Sequence, residues 1–251
     1  LVSVTSFSTH GFGSFGRFAV YANVFAHRHP TKIEDRKMTN SQLFRISGLG
    51  LMVGAVVFIV HIVARSVVTA GPDPVTIATG SLWVPINTLG VISAALVLLS
   101  LPVMYAKMAG STGLLGLVGV VLIALAWMFF GVFLSLYSAL VLPWLADKAP
   151  SLVAASAPLP TGFIIAFIAG LVAWVLGSVI LGIPFVRGRV RPRWVGYVLP
   201  ASALWTILGD VVIAPSGPAT NLAINLLSNL GPVLLLVAFG YLGFRMWSEH
   251  A

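Results

Sequence analysis

Three ionisable side chains stand in the middle of long apolar sequence, where a membrane-spanning chain tolerates them least: His61, Arg65 and Asp210. A charged group at the centre of a membrane helix costs about 2.5–3.5 kcal/mol. Such a residue is therefore a candidate for function, with a partner to be named. His61 and Arg65 are four apart and share one helix face. At ~1.5 Å of rise per residue, His61 lies ~22 Å and Arg65 ~28 Å from the near end of their apolar run, and Asp210 lies ~24 Å into its own. The three reach similar depth if both ends lie on the same side. Asn87, Asn225 and Asn229 reach that level on other runs, as do Ser135, Tyr137 and Ser138. The expectation is a polar, ligand-binding pocket in the outer third of the membrane, built from Asp210, Arg65, His61, Asn87, Asn225, Asn229 and Tyr137, with Asp210 paired to Arg65 or His61. Plainer roles stand beside this one. Arg65 can snorkel to the interface on its long stem, His61 can be a packing residue, the asparagines can tie helices together, and an Asp–Arg pair can be purely structural.

Sharper chemistries lack their residues. A haem held by two histidines needs a second one inside the spans, a retinal Schiff base needs a buried lysine, and zinc needs three or four close ligands. The chain has no cysteine, which removes disulfides and thiolate chemistry, and it has no HExxH, GxSxG or Walker sequence. Gly11, Gly13 and Gly16 match GxGxxG with Glu34 downstream, but no strand precedes them, so the match reads as chance. No cofactor and no catalytic residue is expected.

The elements that must carry these residues are membrane helices. The 251 residues are 59% hydrophobic and 8% charged, against about 25% charged in a soluble domain. Six apolar runs follow the tail, near Ile46–Val68, Leu82–Tyr105, Leu114–Leu142, Thr161–Val186, Trp194–Ala214 and Leu222–Trp247. Each is about as long as the ~20 residues that cross a bilayer. The third is too long to stand upright, and Pro143 is its expected stop. Between the fourth and fifth lie Arg187, Arg189, Arg191 and Arg193, a knot that belongs on the cytoplasmic side. With that loop inside, Arg36, Lys37, Arg45, Lys107 and Arg245 also fall inside, and the outer loops hold Asp73, Asp147 and Lys148. The net charge of +8 is thus a topology signal and not a nucleic-acid one. The predicted fold is an all-α, six-span bundle over residues 38–251 in the plasma (inner) membrane, with both termini cytoplasmic. Trp83, Trp144, Trp194 and Trp247 sit at span ends, as an aromatic belt would. Small residues mark close helix approaches: Gly50 and Gly54; Gly113, Gly116 and Gly119; Ala169, Ala173 and Gly177.

Residues 1–37, rich in Ser, Phe, Gly and His, read as a tail that is disordered or lies on the membrane surface. The opening on Leu1 fits a fragment or an alternative start codon read literally. Met38 is a candidate start that would leave the tail outside the native chain. Spans two and five both open on Trp-Val, at Trp83 and Trp194, but no further match supports an internal repeat.

The stretch Leu134–Ala146, with the glycine-rich opening of the third run and Leu43–Gly50, resembles uncharacterised six-helix integral membrane proteins of bacteria. The resemblance implies a bacterial plasma-membrane protein and carries over no site residue. Three function classes follow. The first binds or translocates a small solute or ion through an outward-facing polar pocket. The second is a non-catalytic accessory subunit, packed against membrane-protein partners or a second copy of itself. An intramembrane enzyme ranks last. The bilayer is a partner in all three, and anionic lipids are a candidate partner of the arginine loop.

Overall fold

In the computed structural model, the described residues are 39–70, 73–153, 160–213 and 221–249, and every regular element among them is helical. The expectations for residues 1–37, the glycine match included, lie outside that set. The elements in order are α1 (Asn40–Val68), α2 (Pro74–Thr79), α3 (Trp83–Trp127), the π-helical π1 (Met128–Phe133), α4 (Leu134–Leu136), π2 (Tyr137–Val141) and α5 (Leu142–Lys148). After a 3-10 turn come α6 (Thr161–Val186), α7 (Arg193–Ile207), π3 (Leu208–Ile213), α8 (Leu222–Ser228) and α9 (Leu230–Ser248). Four stretches are long and apolar enough to cross a membrane: Asn40–Val68, Trp83–Lys148, Thr161–Val186 and Leu230–Ser248. Their outer faces are apolar too, with Ile46, Leu99, Leu114 and Ile165 each more than 60% exposed. A helix that is apolar all round belongs in lipid or in a large core, and the chain is a multi-pass helical membrane protein.

Helix α1 begins at a capping box, six residues ahead of its apolar run. Thr39 Oγ1 accepts from the Gln42 N–H, and Gln42 Oε1 accepts from the Thr39 N–H. Helix α3, at 45 residues, would be roughly 68 Å long if straight. It is not straight. Gly113 takes φ 55°, ψ −148°, a backbone shape a side chain would oppose. On either side the chain runs back along itself. Trp83 Nε1 donates to Ser138 O at 2.7 Å, and a β-carbon on Gly131 would lie 3.0 Å from that of Ala94.

Pro143 does not stop this run. It opens α5 just after π2, and a first helical turn loses nothing when an N–H is missing. The last run is broken where a single helix was expected. Asn229 sits between α8 and α9 with φ −83°, ψ 4°. Pro232 has no N–H to give to the Ser228 carbonyl, so the helical ladder cannot run through.

The small residues mostly face helices of this chain. Gly48 and Gly243 meet where α1 crosses α9, and a β-carbon on either would fall within 2.7 Å of the other's carbonyl oxygen. Gly54 packs on Ser93 and Val97, Gly119 on Leu181, and Gly177 on Ile123. On α6 the buried line is Gly170, Trp174, Gly177, Ser178 and Leu181. The expected line through Ala169 and Ala173 lies to one side of it, and Ala169 is exposed. Trp83 departs from the interfacial belt. It is 3% exposed, whereas Trp144 is 60% exposed.

One end of the bundle gathers the basic loops. Lys107 Nζ lies 2.5 Å from Glu249 Oε2, and Arg245 donates to Arg191 O at 2.6 Å. The far end gathers the end of α1, α2, α5, π3 and α8.

Candidate functional site

Toward that far end a cavity of ≈ 310 Å³ opens among α1, α3, π1, α6, α7, π3 and the α8–α9 break. His61, Arg65, Asp210, Asn225 and Asn229 all line it. Asn87 and Tyr137 do not. The Asn87 amide is fully buried and donates to Trp83 O, one turn back on its own helix. The Tyr137 ring packs on Phe133 and Phe163. Ser135 and Ser138 are also off the lining. A β-carbon on Gly90 would lie 2.8 Å from Ser135 Oγ and 2.7 Å from His61 Cε1, so Ser135 stands behind the histidine.

Each polar wall residue has a local reason for its position. His61 is 2% exposed, and its Nδ1 lies 2.8 Å from Ile86 O. A carbonyl can only accept, so Nδ1 carries the hydrogen and fixes the ring. A neutral His61 then presents the Nε2 lone pair. Glycine at position 90 leaves room for this edge of the ring. Arg65, one turn on, is half-buried, with its guanidinium carbon 5.8 Å from the Trp83 ring centroid. That is cation–π range, and it keeps the side chain inside the bundle.

Asp210 comes from π3. Gly209 beside it lies flush on α8: a β-carbon there would be 2.2 Å from Ser228 O. Asn225 Nδ2 reaches Ser66 O at 3.5 Å, and Asn229 Nδ2 donates to Asn225 O at 2.7 Å. Asn221 caps α8 by accepting from the Ala223 N–H at 2.8 Å.

The expected Asp210 ion pair does not form. The ion pairs among the described residues are Lys107–Glu249, Lys148–Asp147 and Arg245–Glu249. Arg65 and Asp210 border the same cavity, and the guanidinium is engaged by the Trp83 ring instead.

The floor was missed by the sequence reading. It is aromatic: Phe58, Trp127, Phe130, Phe167 and Trp174. Trp127 lies 4.8 Å from Phe58 and 6.0 Å from Trp174, centroid to centroid. Both indoles are buried, yet neither Nε1–H has an acceptor among the described residues. A buried donor left unpaired costs about 1–3 kcal/mol, so two on residues that line one cavity call for an explanation. The signal was available. Of the seven tryptophans, Trp127, Trp174 and Trp205 lie inside apolar runs, away from the interface. Trp205 is satisfied by Leu227 O at 2.8 Å.

No known family model, curated protein or solved structure matches the chain.

Among the described residues no group of three or more His, Cys, Asp or Glu side chains could hold a metal ion. The arrangement instead suits recognition. A cation and an anion from different helices border one aromatic-floored hollow. That is the usual make-up of a small-molecule site, mostly apolar with a few placed polar groups, and its volume is at the small end of the ~300–1,000 Å³ range.

Proposed function

We propose that this protein binds a small solute with charged and apolar parts, in the cavity between Arg65 and Asp210. One observation carries the reading. Two oppositely charged side chains from different helices border one cavity, yet they are not paired to each other. A structural Asp–Arg bridge would have joined them. Left apart, the guanidinium, with its face on the Trp83 ring, keeps its N–H groups for an anionic group, and the carboxylate can take a cationic one. The aromatic rings of the floor take the apolar part.

The same reading has six crossings and both termini in the cytoplasm. The hairpin at Gly113 supports counting Trp83–Lys148 as two crossings. Helix α7 with π3 spans roughly 30 Å at ~1.5 Å per residue, enough for a fifth, and α8 with α9 makes the sixth. Gathering of the basic loops at one end supports a cytoplasmic assignment for that end, and the cavity then opens outward. The likeness to bacterial six-helix membrane proteins fits a plasma-membrane location.

The absence of cysteine gives a clean test. Ser228→Cys and Thr69→Cys, on the cavity wall, should react with a membrane-impermeant maleimide added outside. Ser111→Cys, at the basic end, should react only after permeabilisation. Small zwitterions, organic cations and organic anions are then screened for quenching of tryptophan emission and protection of the Ser228→Cys thiol. The expected hit loses its effect in both Arg65→Gln and Asp210→Asn. A cavity thiol inert from both sides, or hits indifferent to both substitutions, sinks the reading.

A further inference from the structure

The basic end holds a second cavity, of ≈ 220 Å³, that owes nothing to the first. Three stretches far apart in sequence bring cations to it: Lys107 from α3, Arg189 and Arg191 from the loop after α6, and Arg245 from α9. Its floor is apolar and includes Met104, Met108, Leu242 and Met246, each no more than 8% exposed. One anion of the chain already stands in it. Glu249 takes Lys107 Nζ on one oxygen and Arg245 Nη2 on the other. Arg245 also donates to the Arg191 carbonyl. Lys107 and Arg245 are thus held in position, while the side chains of Arg189 and Arg191 have no protein acceptor among the described residues. Four cations face one carboxylate, a formal excess of three positive charges.

Topology alone does not require this arrangement. The positive-inside preference asks for arginines in the loop, but not for two of them to meet Lys107 and Arg245 around an apolar-floored hollow. Nor do all four loop arginines join in. Arg187 and Arg193 are off the lining. The Arg193 guanidinium lies against Gly188, whose φ is +71° and whose β-carbon, if present, would be 2.9 Å from Nη2. The turn at Gly188 therefore separates Arg189 and Arg191 from their neighbours.

We propose that this cavity is a binding site for a phosphate-bearing anion, with Arg189 and Arg191 as its main ligands and Glu249 as a tethered carboxylate that fixes Lys107 and Arg245 and competes for them. Arginine forks match phosphate oxygens two at a time. The phosphate belongs either to a lipid headgroup, with the methionine floor under its first methylenes, or to a free anion.

The full chain is purified in neutral detergent and titrated separately with phosphatidylglycerol, phosphatidylcholine and inorganic phosphate. Binding is read by native mass spectrometry and by the shift in unfolding midpoint. Phosphatidylglycerol or phosphate should bind more tightly than phosphatidylcholine. Preference for the lipid assigns a headgroup, and an equal effect of phosphate assigns the free anion. Arg189→Gln and Arg191→Gln should each weaken binding about fivefold, as removal of one basic residue from a membrane-surface site does. Arg187→Gln, in the same loop, should change it less than twofold. Glu249→Gln should tighten binding, a gain that misfolding cannot mimic. Equal losses for Arg187→Gln and Arg189→Gln would show diffuse attraction and overturn the site. So would phosphatidylcholine binding as well as phosphatidylglycerol, or a loss of affinity in Glu249→Gln.

Discussion

Replacing Gly209 by alanine tests how Asp210 is held at the cavity. Gly209 lies in π3 with its α-carbon against α8. The new β-carbon would sit 2.2 Å from Ser228 O and 3.0 Å from the Ser228 carbonyl carbon, whereas ordinary contact begins at 3.4 Å. The obstacle is backbone, so no side chain can swing aside. Helix α8 and π3 must part by about 1 Å, an overpacking cost of about 1–3 kcal/mol. Against it stands the ~0.5–1 kcal/mol that alanine normally gains over glycine in a helix. Gly110 is the control. It is helical and exposed, with nothing within 4 Å of its notional β-carbon, so Gly110→Ala should stabilise by that same ~0.5–1 kcal/mol. The propensity gain cancels between the two variants, and their stabilities should differ by the overpacking alone, about 1–3 kcal/mol.

The assay is reversible unfolding of both variants in one detergent, followed by tryptophan emission. Gly209→Ala should fall below the parent or stay level with it, and Gly110→Ala should rise. Gly209→Ala should also weaken binding of any solute that Asp210→Asn abolishes, because the carboxylate moves with its helix. Equal stabilisation by both alanines would refute the reasoning, since it would mean that α8 does not press on π3.

Three other outcomes are expected. Thr39→Ala removes the hydroxyl half of the α1 capping box and should cost about 0.5–2 kcal/mol in the same unfolding assay. Leu181→Ala, at a fully buried position under Gly119, should cost about 2–5 kcal/mol, while Leu99→Ala, 75% exposed, should cost far less. Glu249 lies beyond the last span, and its hydrogen bond from Lys107, helped by the charges of Lys107 and Arg245, holds its carboxyl below the usual 4.5. The unfolded chain therefore takes up that proton first. The stabilisation is complete above pH 4.5 and fades as pH falls through the lower folded value. Stability measured from pH 6 down to 3 should be less pH-dependent in Glu249→Gln, and an unchanged slope would remove Glu249 from the account.

The helices could be read from the sequence because lipid enforces one strong pattern, long apolar runs with charge kept to the ends. Thr161–Val186 was delimited to the residue, and the gathering of Lys107, the arginine loop and Arg245 was foreshadowed by their charges alone. Contacts between runs were less legible. Asn87 was ranked with Asn225 and Asn229 by depth, but depth does not say which way a side chain faces, and Asn87 turns back to its own backbone. Trp83 looked interfacial by position, yet the backfolding at Gly113 buries it against Ser138. The aromatic floor escaped because tryptophan in an apolar run raises no hydropathy signal. The positions of Trp127 and Trp174 inside the runs could be read, but that neither N–H finds an acceptor shows only once the neighbours are known.

What the apolar pattern could not disclose is the set of departures from the α-helical repeat, and these lie around the cavity. Phe130 and Gly131 belong to π1, Asp210 to π3, and Asn229 to the α8–α9 break. A π-helical turn adds a residue and swings the following side chains around the axis. With an unbroken 3.6-residue period, position 210 would take another bearing relative to Thr206, which is buried on the same cavity wall. Pro232 acts in the same sense, since it prevents Ser228 from being bonded along the helix and leaves that carbonyl facing Gly209. Straight helices would close on one another, as Gly48 and Gly243 do at the basic end. The polar hollow and the irregular helices are thus one feature. A substitution that restores a regular helix, such as Pro232→Ala, should stiffen α8–α9 while closing the space that Arg65 and Asp210 face.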